Sequence, residues 1–493
     1  MQRPAIGLVA AVLLIGGCAA GPDFKRPAAP DVSDYTVGPL SATTTRAKVA
    51  GGEAQRFVKG SDIAGDWWKL FHSEPLNKLI ELSLKNNPDL KSAQAALSVA
   101  RENVLAQRGV YYPSVAGSFS ATREQDPPGA LAPVPSSNAY LYSLFTPQVS
   151  VSYSPDVFGL NRRSVESLRA QQQGVRFQMI ATYTTLTANV VVTALQQAGL
   201  QTQIEATRRL VHLNTGMVRI LRYQFAKGYA SRLDLAAQES QLAQVSATLP
   251  PLLKQSAQLH DLLAVLTGRF PSQAPIEPFR LSSLKLPEEL PLSLPSQLVA
   301  QRPDVLQAES NLHAASAQIG VAVANRLPSF ELTANAGSSA LAMDQLFSSG
   351  TGIWSLGAAV AAPIFRAGQL LHQQRAAKAA YAQAAEQYRS TVLSAFRNVA
   401  DTLTALEQDA EALKAAAGAA NAAQVTLNLS RRQWQDGYAA YLPLLSAEQT
   451  YQQALINLVQ AQANRYVDTA ALFQALGGGW WHRADLTKDA HEK

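Results

Sequence analysis

Cysteine is nearly absent from this chain of 493 residues, and charged residues are scarce. The single cysteine, Cys18, can form neither an intramolecular disulfide nor a cysteine-based metal site. Charged residues make up 16% of the sequence, whereas about 25% is usual in a soluble globular domain. Aromatic residues contribute 7%, and the apolar share of 47% depends on alanine more than on bulky side chains. This composition does not favour a set of ordinary compact domains.

Several patterns that are typical of enzymes are also missing. The sequence has no glycine-rich dinucleotide motif, no phosphate-binding loop, and no HExxH or GxSxG pattern. The seven histidines show no metal-ligand spacing, so we expect each of them on the solvated surface. They are His72, His212, His260, His313, His372, His482 and His491. Without these motifs and this spacing, we expect no enzymatic activity, cofactor or metal site. Because the net charge of +6 is spread thinly along the chain, we also expect no nucleic-acid partner.

The amino terminus has the pattern of an export signal. Residues 5–17 are apolar or small and follow Arg3, a stretch that is too short to span a bilayer but typical of a signal peptide. Residues 15–18 (IGGC) resemble a bacterial lipobox, which predicts cleavage before Cys18 and lipid attachment to that residue. The alternative is that Cys18 is a residual thiol in a leader that is removed. Ala19 stands where an inner-membrane retention signal would usually place aspartate, which favours the outer membrane.

The rest of the chain repeats itself after about 210 residues, a period far longer than that of solenoid repeats. Residues 87–90 (NPDL) recur 215 positions later as 302–305 (RPDV). Residues 227–230 (KGYA) recur 209 positions later as 436–439 (DGYA). The chain therefore contains two structurally equivalent halves.

This repeat and the shifts in composition divide the chain into five regions. They are a signal peptide (1–17), a lipidated extended arm (18–62), a first repeat (63–290), a second repeat (291–478) and a C-terminal tail (479–493). The arm is rich in proline, alanine, threonine and serine, which favours an extended segment. From residue 481 onward we expect the tail to be disordered.

Each repeat has the same predicted order of elements. A helical stretch (76–109 or 296–325) leads to a proline, which ends it, and two segments that alternate apolar and polar residues follow. These segments are 114–122 and 148–154 in the first repeat, and 329–337 and 353–362 in the second. A tilted membrane strand needs about 9–11 residues, close to their length, although a strand of a soluble sandwich is an equal alternative for any one of them. Four strands cannot close a barrel, since about eight are the minimum, so closure would require several chains.

A very long helical pattern follows each pair of strand segments. Residues 161–225 contain no proline and place apolar residues at steps of three and four; their length as a helix would be about 100 Å. Residues 369–434 repeat the pattern. A plain coiled coil or bundle is the ordinary alternative. Each long helix ends at a glycine, Gly228 or Gly437, where a left-handed residue stops the helix before a second amphipathic helix begins.

The motifs, taken in order, resemble the TolC-like outer-membrane efflux family, in its OprM- and NodT-type lipoprotein branch. The resemblance rests on 18–27 (CAAGPDFKRP), 67–71 (WWKLF), 86–90 (NNPDL), 302–305 (RPDV), 437–438 (GY) and 475–480 (ALGGGW). It covers nearly the whole chain, and the ordered set is specific although each motif alone is weak. The tryptophan pairs 67–68 and 480–481 lie far from the strand segments in sequence, so we expect them to pack beside the helices rather than at a membrane interface.

The resemblance implies a mainly helical protein with membrane strands. It implies a homotrimer in which four strands per subunit form one 12-stranded β-barrel, continued by a long α-helical barrel. It further implies a lipid-anchored outer-membrane duct with a periplasmic extension. In a tripartite efflux pump this duct would join a periplasmic adaptor and an inner-membrane transporter, which we expect to be driven by protons. The alternatives are a TolC-like duct for protein secretion and a lipid-anchored periplasmic spacer.

Two sets of residues are candidate functional sites. Adaptor docking is predicted at the glycine turns, where small residues leave the backbone open and tyrosine offers an amphipathic anchor, although these residues also cap helices. The docking residues are Lys227, Gly228, Tyr229, Ala230 and Ser231, together with Asp436, Gly437, Tyr438, Ala439 and Ala440. The resemblance also implies a gate about four helical turns before the glycine turns, and the residues there include no carboxylate, which argues against cation selectivity. The gate residues are Asn214, Thr215, Asn421 and Gln424.

Overall fold

The structure is a computed structural model that describes residues 19–125, 127, 141–273 and 279–487. The predicted signal peptide and the predicted lipid attachment at Cys18 lie outside these residues. In chain order, the described helices are α1 (Glu74–Asn86), α2 (Pro88–Arg108), α3 (Leu160–Ala226), α4 (Arg232–Leu266), α5 (Pro295–Gln301), α6 (Pro303–Ala324), α7 (Gln369–Gln435), α8 (Tyr441–Ala475) and α9 (Ala484–Thr487). The described strands are β1 (Arg56–Lys59), β2 (Ser114–Gln125), β3 (Leu141–Tyr153), β4 (Glu289–Leu292), β5 (Ser329–Ser338) and β6 (Gly352–Ala361).

The chain forms two compact units, each assembled from three stretches of sequence. Unit 1 contains the described residues within Met1–Pro27, Leu97–Val175 and Ala308–Tyr388. Unit 2 contains those within Ala28–Ala96, Arg176–Gln307 and Arg389–Lys493. Unit 1 holds the four strands of the two repeats, and unit 2 holds the helical hairpins that end at the glycine turns.

The four strands of unit 1 form one antiparallel sheet in the order β2, β3, β5, β6. Each repeat supplies one hairpin of this sheet, and the two hairpins pair through β3 and β5. The edge strands β2 and β6 are exposed along their whole length. Large apolar side chains on these two strands are exposed, namely Val115, Phe119, Trp354, Leu356 and Val360. An apolar patch of this kind marks a surface that meets lipid or another protein.

The four predicted strand segments are confirmed, but the predicted start of β3 is wrong. The alternating pattern places that start at Gln148, whereas β3 begins at Leu141. Pro147 lies inside the strand and has no N–H to donate to a neighbouring strand. The ladder between β3 and β5 covers Gln148 to Tyr153, so Pro147 lies just beyond its end, while it pairs with Phe119 of β2. The next pair on that side joins Phe145 to Ala340, so Pro147 lies at an interruption of the pairing, where a proline is tolerated.

The predicted helical stretches at 76–109 and 296–325 are confirmed, but each contains two helices, because it is broken before a proline. Asn87 separates α1 from α2 with ψ 125°, and Arg302 separates α5 from α6 with the same ψ. The ring of a following proline clashes with a helical residue before it and pushes that residue toward extended geometry. Both repeats therefore use the same break.

The two long helices are confirmed to within one residue at each end. Both α3 and α7 contain 67 residues. At about 1.5 Å per residue, each helix is about 100 Å long. Among the helices of the described residues, none combines the length and the apolar character needed to cross a lipid bilayer.

A small parallel sheet in unit 2 was not predicted. It pairs β1, near the end of the arm, with β4, at the start of the second repeat. Arg56 lies opposite Glu289 in this pairing, and their side chains form an ion pair. Each strand has only four residues, and the two lie more than 200 positions apart, so no local alternation could indicate them.

The predicted disorder of the tail is wrong for the residues up to 487. The indole N–H of Trp480 donates to the carbonyl of Gln301 (2.7 Å), and the indole N–H of Trp481 donates to Asp62 (3.0 Å). Leu486 is buried in the last described helix. These hydrogen bonds and the buried Leu486 attach the residues up to 487 to the rest of unit 2. The expected packing of the tryptophan pairs is confirmed, since Trp67 is also buried.

One of the predicted surface positions is half-buried in the structure, that of His313. His313 of α6 stacks on the ring of Phe24, with a centroid distance of 4.3 Å and an interplanar angle of 11°. Its Nε2 atom lies 3.0 Å from the carboxylate of Glu166. The contact involves residues far apart in sequence within unit 1, which spacing between histidines could not indicate.

Candidate functional site at the glycine turns

The first glycine turn joins α3 to α4. Gly228 has φ +79°, the left-handed conformation that glycine adopts without steric cost. Its N–H donates to the carbonyl of Phe225 (3.0 Å), and the N–H of Tyr229 donates to the carbonyl of Gln224 (2.8 Å). Two carbonyls of the last turn of α3 are thereby satisfied, as in other glycine-terminated helices.

The second glycine turn joins α7 to α8 and has the same backbone. Gly437 has φ +77°. The N–H of Gly437 donates to the carbonyl of Trp434 (3.1 Å), and the N–H of Tyr438 donates to the carbonyl of Gln433 (2.8 Å). The predicted left-handed glycine is confirmed in both repeats.

The residues predicted to dock an adaptor present backbone and tyrosine at each turn. Tyr229 is 83% exposed and Tyr438 is 86% exposed. A Cβ atom added at Gly228 or Gly437 would meet no other atom within 4 Å, so there is open space beside both glycines. The remaining docking candidates are exposed or half-buried, namely Lys227, Ala230, Ser231, Asp436, Ala439 and Ala440. Contact with an adaptor remains a prediction.

An apolar cluster packs the two hairpins together behind the turns. It draws on α3 and α4 of the first repeat and on α7 and α8 of the second. Its buried members are Met217, Leu221, Leu235, Leu427, Tyr441, Leu444, Leu445 and Ala447. Both glycine turns therefore lie next to the same apolar core, which contains residues of both hairpins.

A chain of hydrogen bonds runs through this core. The side-chain amide of Asn214 donates to the carbonyl of Leu210 (2.8 Å), and its oxygen accepts from the amide of Gln238 (2.8 Å). The Gln238 oxygen in turn accepts a hydrogen bond from the hydroxyl of Tyr441. Burial raises the pKa of Tyr441, which keeps its hydroxyl protonated as a donor. The chain links α3 to α4 and α4 to α8.

The four gate candidates have two different environments. Asn214 is buried and its side chain is committed to the chain of hydrogen bonds. Thr215, Asn421 and Gln424 are exposed on the single chain, and the Thr215 hydroxyl donates to the carbonyl of Val211 (2.8 Å). Their role as a gate remains a prediction for all four.

Gln238 and Tyr441 were not identified from the sequence. A signal was present, because Gln238 lies three positions after Leu235 on the apolar stripe of α4, where a polar side chain needs a partner. The partner itself is on another hairpin 203 positions away. No spacing in the sequence indicates such a contact.

Equivalent ion pairs brace each hairpin near its turn. Arg222 and Glu239 lie 2.8 Å apart in the first hairpin and are largely exposed. Arg431 and Glu448 lie 3.8 Å apart in the second, where the Glu448 side chain is only 12% exposed. Burial raises the pKa of Glu448, and the charge of Arg431 opposes this shift.

The residues at the two helix breaks, Asn87 and Arg302, form hydrogen bonds to the ends of α4 and α8 that lie away from the glycine turns. The Asn87 amide donates to the carbonyl of Leu266, the last residue of α4 (3.1 Å). The Arg302 guanidinium donates to the carbonyl of Ala475, the last residue of α8 (2.8 Å). Carbonyls in the last turn of a helix have no partner within the helix, so these side chains satisfy them. The two recurring motifs thus have one structural role.

Two halves that repeat one order of strands, long helices and glycine turns have the architecture of TolC-like outer-membrane channels. The chain belongs to the outer membrane efflux protein family, whose profile matches residues 79–269 and 294–478. The predicted family and fold class are therefore confirmed.

Individual relatives match along almost the whole chain. The probable efflux pump outer membrane protein TtgC of Pseudomonas putida KT2440 is 30% identical over 488 residues, which cover 98% of this chain and 97% of that one. The antibiotic efflux pump outer membrane protein ArpC of Pseudomonas putida has the same identity and coverage. The solved outer-membrane channel OprN superposes with a TM-score of 0.83 at 25% identity, covering 94% of this chain and 100% of that one. The chain is an outer-membrane efflux protein, and its function is that of an exit duct.

Proposed function

We propose that three copies of this chain form the exit duct of a tripartite pump for small molecules. In this proposal, a periplasmic adaptor docks on the two glycine turns, and an inner-membrane transporter, driven by protons, supplies the energy. A lipid on Cys18 anchors each copy in the outer membrane. The observation that carries the proposal is the open four-stranded sheet of unit 1.

The sheet has two unpaired edges within the described residues, on β2 and β6. An edge strand presents a row of free N–H and C=O groups, and each such group costs several kcal/mol inside a membrane. Because strand direction alternates along the order β2, β3, β5, β6, the β6 edge of one copy runs antiparallel to the β2 edge of the next. A contact between two different edges repeats around a ring until the ring closes.

The number of copies follows from the size of the interior. Two copies would supply only about eight strands, and the interior of a ring that small is filled by side chains. Three copies, at four strands each, give a wider ring that can pass a small molecule. The family resemblance implies the same trimer.

The trimer is tested by the mass and shape of the protein in mild detergent. Light scattering behind size-exclusion chromatography, together with electron-microscope images, should give three copies per particle and a hollow tube. A monomer or a dimer at working concentration would contradict the proposed ring.

Docking on the glycine turns is supported by their open backbone and exposed tyrosines. Because Cys18 is the only cysteine, the variants Tyr229→Cys and Tyr438→Cys would each introduce one new thiol for crosslinking in cells. We expect both variants to crosslink to a periplasmic protein identified as an adaptor by mass spectrometry. Val265→Cys is the matched control, since this exposed residue lies at the other end of α4. Equal crosslinking at all three positions would contradict docking at the turns.

The proposed cargo is a small molecule such as an antibiotic. ArpC, whose alignment covers 98% of this chain at 30% identity, is named for antibiotic efflux. Deleting the gene should lower the antibiotic tolerance of the host, and the intact gene should restore it. Unchanged tolerance to a broad panel of antibiotics, with loss of a secreted protein instead, would favour a protein-secretion duct.

A further inference from the structure

Residues 19–26 lie against the start of α3 and against α6 in unit 1. The N–H of Ala20 donates to the carbonyl of Phe158, just before α3 begins (2.9 Å). At the other end of the segment, the Nε atom of Arg26 lies 3.0 Å from the carboxylate of Glu309 on α6. The segment is therefore held at both ends.

An aromatic contact holds the middle of the segment. Phe24 stacks on His313, and Glu166 of α3 in turn lies 3.0 Å from the imidazole. A stacked pair of rings contributes about 0.5–1.5 kcal/mol beyond the area that it buries. Both helices that flank the segment thus contribute to this contact.

Arg163 of α3 is the centre of the site. Its side chain is 5% exposed, and all three nitrogens of its guanidinium are engaged. Nε donates to the carbonyl of Ala20 (3.1 Å), and Nη2 donates to Asp23 (2.7 Å) and to the carbonyl of Gly21 (3.4 Å). Nη1 donates to Glu166 (2.7 Å). A buried guanidinium needs such partners, so removing the segment would leave most of its hydrogen bonds unmade.

Glycines allow the segment to approach both helices closely. A Cβ atom added at Gly21, where φ is +89°, would lie 2.4 Å from the Cα atom of Gly320 on α6. A Cβ atom added at Gly320 would lie 2.7 Å from the carbonyl oxygen of Ala20. A Cβ atom added at Gly159, before α3, would lie 2.8 Å from the Cβ atom of Ala19. The path of the segment is therefore fixed by shape as well as by charge.

We propose that residues 19–26 form a strap seated on α3 and α6, that Arg163 is the positioning residue that holds this strap, and that the strap restrains the lipid carried just before it. The inference rests on the proposed lipid attachment at Cys18. Ala19, the first residue of the strap, lies close to Gly159, six positions after β3 ends at Tyr153, so the strap begins near the strands. If the strap were released from α3 and α6, an extended segment of ten residues would allow the lipid to move over about 30 Å.

Limited proteolysis of the intact lipidated protein tests the seat. Trypsin can cut after Lys25, whereas Pro27 blocks the site after Arg26. Because a protease needs the segment to open, the rate of cutting follows the population of the unseated form. We expect Arg163→Met to raise the rate of cleavage after Lys25 at least tenfold. The unfolding temperature should stay close to that of the wild type, which would show that the strap and not the whole fold has opened. Arg169→Met, at an exposed position of the same helix, should leave the rate unchanged.

A second variant pair keeps the test valid if Arg163→Met folds poorly. Gly320→Ala keeps α6 helical but places a methyl group against Ala20, so it should also speed cutting at Lys25 at least tenfold. Gly418→Ala is the control, since its added methyl group meets nothing within 4 Å. Wild-type rates in both Arg163→Met and Gly320→Ala would overturn the seat.

The released peptide 18–25 separates this inference from the lipid proposal. Its mass reports the acyl groups on residue 18 directly. A peptide without acyl groups would refute the lipid attachment, while the cutting rates would still decide the seat. A lipidated peptide released equally fast from every variant would refute the seat alone.

Discussion

The two glycine turns share one backbone but differ in how the helix that follows is held. In the first turn, the hydroxyl of Ser231 accepts from the N–H of Asp234 (3.0 Å), and the Asp234 carboxylate accepts from the N–H of Ser231 (3.1 Å). This capping box satisfies the start of α4 from within the turn. The corresponding positions of the second turn are Ala440 and Pro443, and α8 begins without a side-chain cap.

The second turn is held by packing instead. Tyr441 is buried, meets Trp434 edge to face at a centroid distance of 5.8 Å, and donates to Gln238 of the other hairpin. The corresponding residue of the first turn is Arg232, which is exposed beside Phe225. The first turn is therefore locally self-sufficient, whereas the second depends on its partner hairpin. A duplicated backbone has kept its glycine while the contacts around it have diverged.

The largest effect is expected from a β-branched residue at the uncapped turn. Gly437→Val places a bulky side chain at positive φ, which costs on the order of 1–3 kcal/mol, and α8 has no cap to offset the strain. We expect trimers to form but antibiotic tolerance and adaptor crosslinking to fall. Gly228→Val should have the same effect to a smaller degree, because the capping box remains.

Gly418→Val is the control for this pair, since Gly418 lies within α7 with open space around it. Unchanged tolerance and unchanged crosslinking in Gly437→Val would remove the docking assignment. An equal loss in both turn variants would instead show that the cap makes no difference.

The next largest effect is a loss of stability when the Tyr441 hydroxyl, which links the two hairpins, is removed. Tyr441→Phe leaves the buried oxygen of Gln238 without its donor, which should lower the free energy of unfolding by about 1–3 kcal/mol. Tyr438→Phe is the matched control, because this tyrosine is 86% exposed. Thermal unfolding of the two variants measures the difference. Equal stability would mean that packing alone holds the second turn.

The features that could be predicted from the sequence are those that a local pattern encodes. A left-handed glycine stops a helix by its own conformation, so Gly228 and Gly437 marked both turns correctly. The long helices required only periodicity and the absence of proline. The helix breaks at Asn87 and Arg302 could have been read from the prolines that follow, because the steric rule is local.

The features that were missed depend on contacts between distant segments. Asn87 reaches a carbonyl 179 positions away, and Tyr441 reaches Gln238 across 203 positions. Arg163 contacts Asp23 across 140 positions and has no unusual neighbour in the sequence. Side chains of this kind look like ordinary surface polar residues until the fold brings their partners to them.

A smaller effect is expected at the caps themselves. Ser231→Ala removes the acceptor for the N–H of Asp234 and should cost about 1 kcal/mol, as N-cap losses typically do. Ala440→Ser can cap the second turn only through the N–H of Leu442, because Pro443 at the next position has no N–H, so it should recover at most part of that amount there. Thermal unfolding measured on both variants tests the pair. A stabilising Ser231→Ala, or a destabilising Ala440→Ser, would contradict the division of roles between the turns.

The smallest effect is expected at the ion pairs and depends on pH. Burial raises the pKa of Glu448 above its ordinary value of 4.5, so the folded protein favours the protonated form. This contribution to stability is present below pH 4.5 and is lost as the pH rises through the raised pKa. Glu448→Gln does not titrate and should therefore be more stable than the wild type at pH 8 but not at pH 4. The gain is limited because Arg431, at 3.8 Å, offsets part of the burial cost.

Glu239→Gln is the matched substitution in the first hairpin. Its ion pair with Arg222 is largely exposed, and exposed pairs contribute about 0–1 kcal/mol. We expect no gain in unfolding temperature at pH 8 for this variant. A gain in both variants would place the pH dependence outside the buried pair, and a gain in neither would show that Arg431 fully compensates the burial of Glu448. Only a gain confined to Glu448→Gln fits a second hairpin that is packed more tightly than the first.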